Sequence, residues 1–134
     1  MQNKFLIEIK NPFSFGRVFC LLCLLACSVF TKAQPTLSFK KYKENFGFVK
    51  KGEVVKMEFH FTNTGNQPLI ITDAKVECSC TTVEFPKQPV APNQSGVVVV
   101  LFDTKTVYDR QDRIVELLSN AKPVKIRFKG VVLK

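Results

Sequence analysis

The segment VVKMEFHFT, residues 54–62, alternates apolar and polar side chains from Val55 onward. Successive residues of a β-strand point to opposite faces, so this period of two predicts a strand with one buried and one solvent-facing side. The residues expected to face the core are Val55, Met57, Phe59 and Phe61, and those expected to face water are Lys56, Glu58, His60 and Thr62. The segment therefore indicates a sheet that covers a hydrophobic core.

Other parts of the chain show related patterns. Residues 124–132 repeat the alternation, and Gly130 interrupts their apolar face, which predicts a bulge or a close approach to the backbone. Residues 96–102, GVVVVLF, are too few and too β-branched for a helix and predict a central strand covered on both sides. Further strand candidates are residues 36–40, 45–49, 69–76, 82–85 and 114–118.

Clusters of Gly, Pro, Asn and Ser separate these candidates and are typical of turns. About seven or eight short strands joined by such turns predict an all-β fold, an antiparallel immunoglobulin-like β-sandwich that forms a single domain over residues 34–134. A small closed barrel is the alternative architecture. The polar stretch DTKTVYDRQD, residues 103–112, is interpreted as an exposed loop or hairpin tip.

The first 33 residues have the pattern of a removable signal peptide. Three basic residues precede the apolar run VFCLLCLLACSVF, residues 18–30, and small residues one and three positions before Gln34 mark a cleavage site. The run is shorter than the roughly 20 apolar residues that cross a bilayer. We therefore expect an exported protein, periplasmic or secreted, with a mature chain of 16 basic and 10 acidic residues and a net charge of +6.

Two alternatives change the way in which the protein is exported. Residues 24–27, LLAC, resemble a bacterial lipobox, in which Cys27 would carry lipid and anchor the protein in the cell envelope. Retention as an uncleaved N-terminal anchor is the other alternative. Contact with a membrane is expected only if Cys27 is lipidated, and nucleic acid is not an expected partner of an exported protein.

The composition argues against an enzyme. The chain has a single histidine, His60, and no tryptophan, whereas acid–base catalysis most often uses histidine. No Gly-x-Ser-x-Gly elbow, glycine-rich phosphate loop or histidine-rich metal motif occurs. His60 is expected on the solvent-facing side of its strand, and no cofactor is expected.

Cys78-Ser79-Cys80 is the one group of residues with evident chemical potential. Residues two apart in an extended strand are separated by roughly 6.6 Å, near the upper limit for a disulfide, so a bridge requires the chain to bend. The interpretations are a local bridge or packed thiols, a redox-active pair, a soft-metal site for Cu(I) or Zn, or a point of attachment for a partner. Two thiolates are an incomplete ligand set, and Met57 and His60 fall on opposite faces of their strand.

Lys125, Arg127 and Lys129 lie two residues apart and should form a basic row on one face of a strand, with steps of roughly 7 Å. Such a row could bind phosphate or an acidic glycan. The other interpretation is a solvated face whose lysines prevent aggregation of strand edges.

Short motifs follow one another between residues 46 and 132. They are Phe46-Gly47, Gly52-Glu53, FHFTNTG at 59–65, PLII at 68–71, CSCT at 78–81, Ala91-Pro92 with Gly96, Phe102-Asp103, Ser119-Asn120 and Gly130-Val131. Their succession resembles the family called domain of unknown function 1573, whose pattern usually has Cys-Gly-Cys where this chain has Ser79. The resemblance implies an exported bacterial protein with a Hydin-like or PapD-like immunoglobulin fold, and it implies no particular activity.

Together these features predict an exported, non-catalytic interaction module that binds a cell-envelope protein or glycan. The loops at residues 78–81 and 103–112 and the edge strands of the sheets are the expected contact regions. The alternative is a small thiol redox or copper-binding protein that uses Cys78 and Cys80.

Overall fold

Eight strands make up the regular structure of residues 32–134, the part of the chain that the computed structural model describes. They are β1 (Leu37–Phe39), β2 (Lys43–Lys50), β3 (Val54–Asn63), β4 (Ile71–Val76), β5 (Thr81–Glu84), β6 (Ser95–Asp103), β7 (Asp109–Ser119) and β8 (Val124–Leu133). Within these residues no helix is long and apolar enough to cross a membrane. Residues 1–31, which hold most of the predicted signal peptide and the candidate lipidation site Cys27, lie outside the described residues.

The strands form two four-stranded sheets that share one hydrophobic core. Sheet A has the strand order β1-β3-β6-β5, and sheet B has the order β2-β8-β7-β4. The sheets meet through aromatic rings: Phe102 of β6 and Phe128 of β8 are both fully buried, with ring centroids 5.2 Å apart. The predicted all-β, immunoglobulin-like sandwich is confirmed.

The alternation in residues 54–62 determines how β3 sits in sheet A. Met57, Phe59 and Phe61 are buried in the core, while Lys56 and His60 are exposed on the opposite side. Burying each of these large apolar side chains contributes about 1.5–3 kcal/mol of transfer free energy. The strand's orientation is therefore well determined, because a slip of one residue would exchange its two faces.

One strand pair departs from the expected antiparallel pairing, since β2 runs parallel to β8. The chain first runs along one edge of the sandwich as β1, which pairs antiparallel with β3 in sheet A. After a bend at residues 40–42 it continues in the same direction as β2, now in sheet B. The parallel pair thus results from one edge segment that crosses between the sheets.

The central strand β6 is not covered on both sides, as residues 96–102 had suggested. Val98, Val100 and Phe102 are fully buried, but Val97 and Val99 are only half-buried on the outer face of sheet A. Among residues 32–134 no element packs over that face, and only side chains of the neighbouring strands shield it. The apolar run reflects burial on one face and β propensity on the other.

Two predicted boundaries also differ. The interpretation of residues 103–112 as a loop is wrong for their second half, because β7 begins at Asp109 and pairs with β8. The side chain of Gln111 turns into the buried layer and donates a hydrogen bond to the Tyr108 carbonyl at 2.7 Å, so a polar sequence is satisfied inside a strand. Likewise β4 begins at Ile71, and Leu69 forms only an isolated bridge with Val90.

Asn63, the last residue of β3, joins the loops at one end of the sandwich. Its buried side-chain amide donates to the carbonyls of Gln67 at 2.7 Å and Val90 at 3.0 Å. Its Oδ1 accepts from the backbone N–H groups of Thr36 at 3.2 Å and Gly65 at 3.0 Å. One side chain thus satisfies four backbone groups, and none of them needs water.

We therefore predict that Asn63→Asp and Asn63→Ala each lower the free energy of unfolding by about 2–4 kcal/mol, because buried carbonyls or N–H groups lose their partners. Asp preserves the acceptor but places a buried carboxylate oxygen against the carbonyls of Gln67 and Val90, so it should be no milder than Ala. Equilibrium urea unfolding measures the change. Asn66→Ala is the control, since exposed Asn66 accepts one bond from the Gln34 backbone and should lose less than about 1 kcal/mol. Equal losses at both positions would contradict this role of Asn63.

Candidate binding site

The predicted site residues Cys78 and Cys80 form a disulfide in the structure. They lie in the connection from β4 in sheet B to β5 in sheet A, with Cα atoms 5.2 Å apart and both residues half-buried against the core. The Cys80 carbonyl accepts a hydrogen bond from the backbone N–H of Asp103 at 2.8 Å. The bridge therefore shapes the turn that carries the chain between the sheets.

The copper-binding hypothesis requires reduction of this bridge and further ligands. Within residues 32–134 no group of three or more His, Cys, Asp or Glu side chains is placed to hold a metal ion. Met57 is buried in the core, and His60 is exposed on the outer face of sheet A, where its Nε2 lies 3.9 Å from a Glu58 carboxylate oxygen. Neither residue completes a site with the cysteines, and the hypothesis stays a prediction.

The predicted basic row does lie on the outer face of sheet B, but β7 neutralises part of it. Arg127 forms a bidentate ion pair with Asp112, and Lys125 Nζ lies 4.0 Å from a Glu116 carboxylate oxygen. The hydrogen bond from Arg127 holds the pKa of Asp112 below its ordinary value, and the same pair raises the pKa of Arg127. The face is therefore a mixed-charge surface, not a uniform basic one.

Lys129 is the member of the row that is left without a carboxylate partner within 4.0 Å, among the residues that the structure describes. It lines a shallow groove of about 360 Å³ on the outer face of sheet B, which extends from the middle of β2 across β8 to the start of β7. The side chains that line this groove include Asn45, Phe48, Arg110, Asp112, Lys129 and Val131. Arg110 also has no carboxylate partner in the described residues.

A β-bulge in β2 places Phe48 in the groove. Asn45 is opposite Lys129 and Gly47 is opposite Gly130, so β2 has one more residue than β8 at this point. Gly47 has a φ of 71°, a backbone conformation that glycine adopts easily. The extra residue reverses the alternation: Phe46 faces the core, and Phe48, two residues later, faces solvent with 75% of its surface exposed.

Gly130 makes the inward position of Phe46 possible. A Cβ atom at Gly130 would overlap the Phe46 ring. Because glycine has no Cβ, the ring can lie over Gly130 and pack with Phe102 at a centroid distance of 5.7 Å. Of the two alternatives predicted for Gly130, the close approach occurs there, and the bulge lies opposite it in β2. The motif Phe46-Gly47-Phe48 is the signal that could have revealed the exposed aromatic ring from sequence, because a glycine between two bulky residues is typical of a bulge.

The electrostatics of the groove favour an anion. Arg110 and Lys129 lack carboxylate partners within 4.0 Å in the described residues, and the charges of Lys129 and Lys43 both act on Asp112 and lower its pKa. Asp112, the carboxylate in the groove wall, is held by Arg127. Since Asp112 is already paired, it neutralises the two free cations less than an unpaired carboxylate would. The groove can therefore hold the anionic group of a ligand next to the apolar surface of Phe48 and Val131.

The edges of the two sheets offer little for strand addition. β1 has 3 residues and β5 has 4, so each presents few free backbone groups. β2 is bulged, and β4 has a second irregularity between Ile71 and Asp73. The Asp73 carboxylate also accepts a hydrogen bond from the Ala74 backbone N–H at 2.8 Å. Short or irregular edges of this kind are the usual protection against edge-to-edge pairing.

The comparisons with known proteins agree with the fold. A family model described as protein of unknown function (DUF1573) matches residues 37–132, more than half of the chain. No curated protein matches the sequence.

Three solved structures share the architecture. A protein of unknown function from Porphyromonas gingivalis W83 is 17% identical, with a TM-score of 0.67 over 77% of this chain and 50% of that one. Vibrio cholerae VesB protease is 19% identical, with a TM-score of 0.58 over 73% of this chain and 32% of that one. The ASH / PapD-like domain 7 of human CEP192 is 7% identical, with a TM-score of 0.59 and coverages of 73% and 85%. The chain thus spans about half the length of the Porphyromonas protein, and at these identities the likeness concerns the fold alone.

The disulfide should contribute little to stability, because it closes a very small loop. We predict that the double substitution Cys78→Ser with Cys80→Ser lowers the free energy of unfolding by no more than about 1.6 kcal/mol, as the loop-entropy relation gives for about three residues. Urea unfolding of the oxidised, reduced and substituted proteins measures this, and a loss above about 4 kcal/mol would show that the bridge is a major structural support. Adding Cu(I) to the reduced protein tests the alternative, which requires tight binding that disappears in the double variant.

The Asp112–Arg127 pair should respond to acid. Because the folded-state pKa of Asp112 is lowered, its contribution to stability is complete above the ordinary value of 3.8 and is lost as pH falls through the folded-state pKa, below 3.8. We predict that Arg127→Gln raises the pKa of Asp112 toward 3.8 in an NMR titration of the side-chain carboxyl. Lys125→Gln is the control and should leave that pKa unchanged, because Lys125 pairs with Glu116. An unchanged pKa in Arg127→Gln would rule out the pair in solution.

Proposed function

The chain belongs to the DUF1573 family, and we propose that it is an exported, non-catalytic module that binds a cell-envelope partner, a protein or a glycan, through the outer face of sheet B. The observation on which this proposal rests is the exposed ring of Phe48 beside two cations, Arg110 and Lys129, that lack carboxylate partners in the described part of the chain. Exposed aromatic and arginine side chains that lie together are typical of binding surfaces.

The surroundings of His60 support a non-catalytic role. It is the single histidine of the chain, and it lies on an open sheet face with 54% of its side chain exposed. Its close charged neighbour is Glu58, and it lines neither the groove that contains Phe48 nor the hollows lined by Leu37 and by Lys43. General acid–base chemistry depends on a positioned group in a site that limits water, which this surface does not provide. The resemblance to VesB protease covers 32% of that chain and supplies a fold, not an active site.

The proposed export has two supports. The first 33 residues have the charge and hydropathy pattern of a signal peptide. The disulfide between Cys78 and Cys80 fits an oxidising compartment, because the cytosol keeps most thiols reduced. Mass spectrometry of the native N-terminus decides between cleavage before Gln34 and lipidation of Cys27.

The outer face of sheet B is a better contact surface than the loops or the sheet edges. The disulfide holds the connection at residues 78–81 in a tight turn, and the edge strands are short or irregular. The second half of the predicted loop at residues 103–112 lies in β7 and supplies Arg110 and Asp112 to the groove. Part of the expected contact region thus coincides with the proposed one.

Site-specific photo-crosslinking in cells tests the proposal. A benzophenone amino acid at Phe48 should form adducts with an envelope component, and the same group at Thr82, which is exposed on the outer face of sheet A, should not. Sensitivity of the adduct to protease or to glycosidase then assigns the partner to protein or glycan. Absence of adducts at Phe48, or equal labelling at both positions, would contradict binding through sheet B.

A further inference from the structure

We infer that the groove on sheet B binds an acidic glycan, with the carboxylate of a uronic acid between Arg110 and Lys129 and a sugar ring against Phe48. This inference rests on the proposed function and narrows the class of its partner. It follows from three properties of the groove: its unpaired charge, its apolar wall and its size.

Charge complementarity requires an anionic ligand. Arg110 lies on β7 directly opposite Val131, and Lys129 lies two residues before Val131 on β8, so the two cations occupy diagonal neighbouring positions of the outer face. Neither cation has a carboxylate partner within 4.0 Å among residues 32–134. A carboxylate bound between them would accept charge-assisted hydrogen bonds, which are roughly twice as strong as neutral ones.

The apolar wall distinguishes a sugar acid from a bare anion such as phosphate. Phe48 is the most exposed large hydrophobic residue among those described, and Val131 is half-buried next to it. One face of a hexose ring carries mainly C–H groups and can cover an aromatic ring, so sugar binding would remove this surface from water. The Oδ1 of Asn45 already accepts a hydrogen bond from the Gly47 backbone N–H at 3.0 Å, and its side-chain NH₂ can donate to sugar hydroxyls.

The size and the polarity of the groove favour a glycan over a folded protein. Its volume of about 360 Å³ is at the lower end of the roughly 300–1,000 Å³ that is usual for small-molecule sites. This volume accommodates one sugar ring and a few further atoms. Lys, Asp and Glu are depleted from the centres of protein interfaces, whereas here Asp112 and Lys129 lie opposite each other in the middle of the face. An adjoining hollow of about 130 Å³, lined by Lys43, Glu44 and Arg127 among others, would extend the site to a second sugar.

Calorimetric titration of the purified protein with trigalacturonate tests the inference. The matched ligand is the methyl ester of the same trisaccharide, which keeps the rings and removes the charge, and hexaglutamate represents an acidic peptide. We expect trigalacturonate to bind, the ester to bind at least about tenfold more weakly, and higher salt to weaken the binding of the acid. No binding of trigalacturonate, equal binding of its ester, or tighter binding of hexaglutamate would overturn the inference.

Substitutions on the exposed face locate the site. Lys129→Gln and Phe48→Ala should each weaken trigalacturonate binding by about tenfold. Asp112→Asn should strengthen it, because the guanidinium of Arg127 is released from its ion pair. Lys122→Gln is the control, since Lys122 is exposed near the hollow formed by residues 34–37 and 121–124 and should have no effect. Affinities that are unchanged in Lys129→Gln and Phe48→Ala would exclude the groove.

The two proposals fail in different ways. Adducts at Phe48 without trigalacturonate binding would overturn the acidic-glycan inference and leave the binding module in place. Absence of both would overturn the proposed function as well. Thermal unfolding of each variant confirms that the fold is intact, which is expected because the substituted side chains are at the surface.

Discussion

The β-bulge at Gly47 is the constraint on which the candidate site depends. Without it, the period of two would place Phe46 and Phe48 on the same face of β2. The extra residue sends the first ring into the core, over Gly130, and the second into solvent beside Lys129. Two glycines thus act together: one has the backbone freedom for the bulge, and the other leaves room for the ring. The resulting aromatic surface next to unpaired cations is a feature that neither strand would have alone.

The bulge also explains which parts of the molecule could be predicted from sequence. The faces of β3 and β8 follow from a regular alternation of residues such as Phe59 and Ile126, and the structure places both in the core. Phe48 could not be placed in this way, because a single inserted residue inverts the pattern after it. The parallel pairing of β2 escaped prediction for a related reason. Strand direction at a sheet edge depends on where the chain crosses between the sheets, and residues 40–42 carry no strong signal of that crossing.

The charges of sheet B show a similar limit of local patterns. Lys125, Arg127 and Lys129 are equivalent in spacing, yet the structure gives them different roles, since their partners come from β7 and are distant in sequence. Arg127 is fixed by Asp112, Lys125 is near Glu116, and Lys129 is left for another anion. The same pairing that reduces the charge of the row also concentrates its unpaired part at the groove. Partial neutralisation of the row by β7 thus reduces its total charge and confines the unpaired charge to one position, Lys129.

The irregular edge strands connect stability to function. A regular, open edge invites pairing with other chains, and β2 and β4 interrupt theirs with bulges while β1 and β5 are short. In β2 the interruption that protects the edge is also the one that turns Phe48 outward. Protection against non-specific strand addition and exposure of the Phe48 ring are thus consequences of one backbone feature. For this reason we place the contact surface on the face of the sandwich, where side chains determine specificity, and not on its edges, where the backbone would.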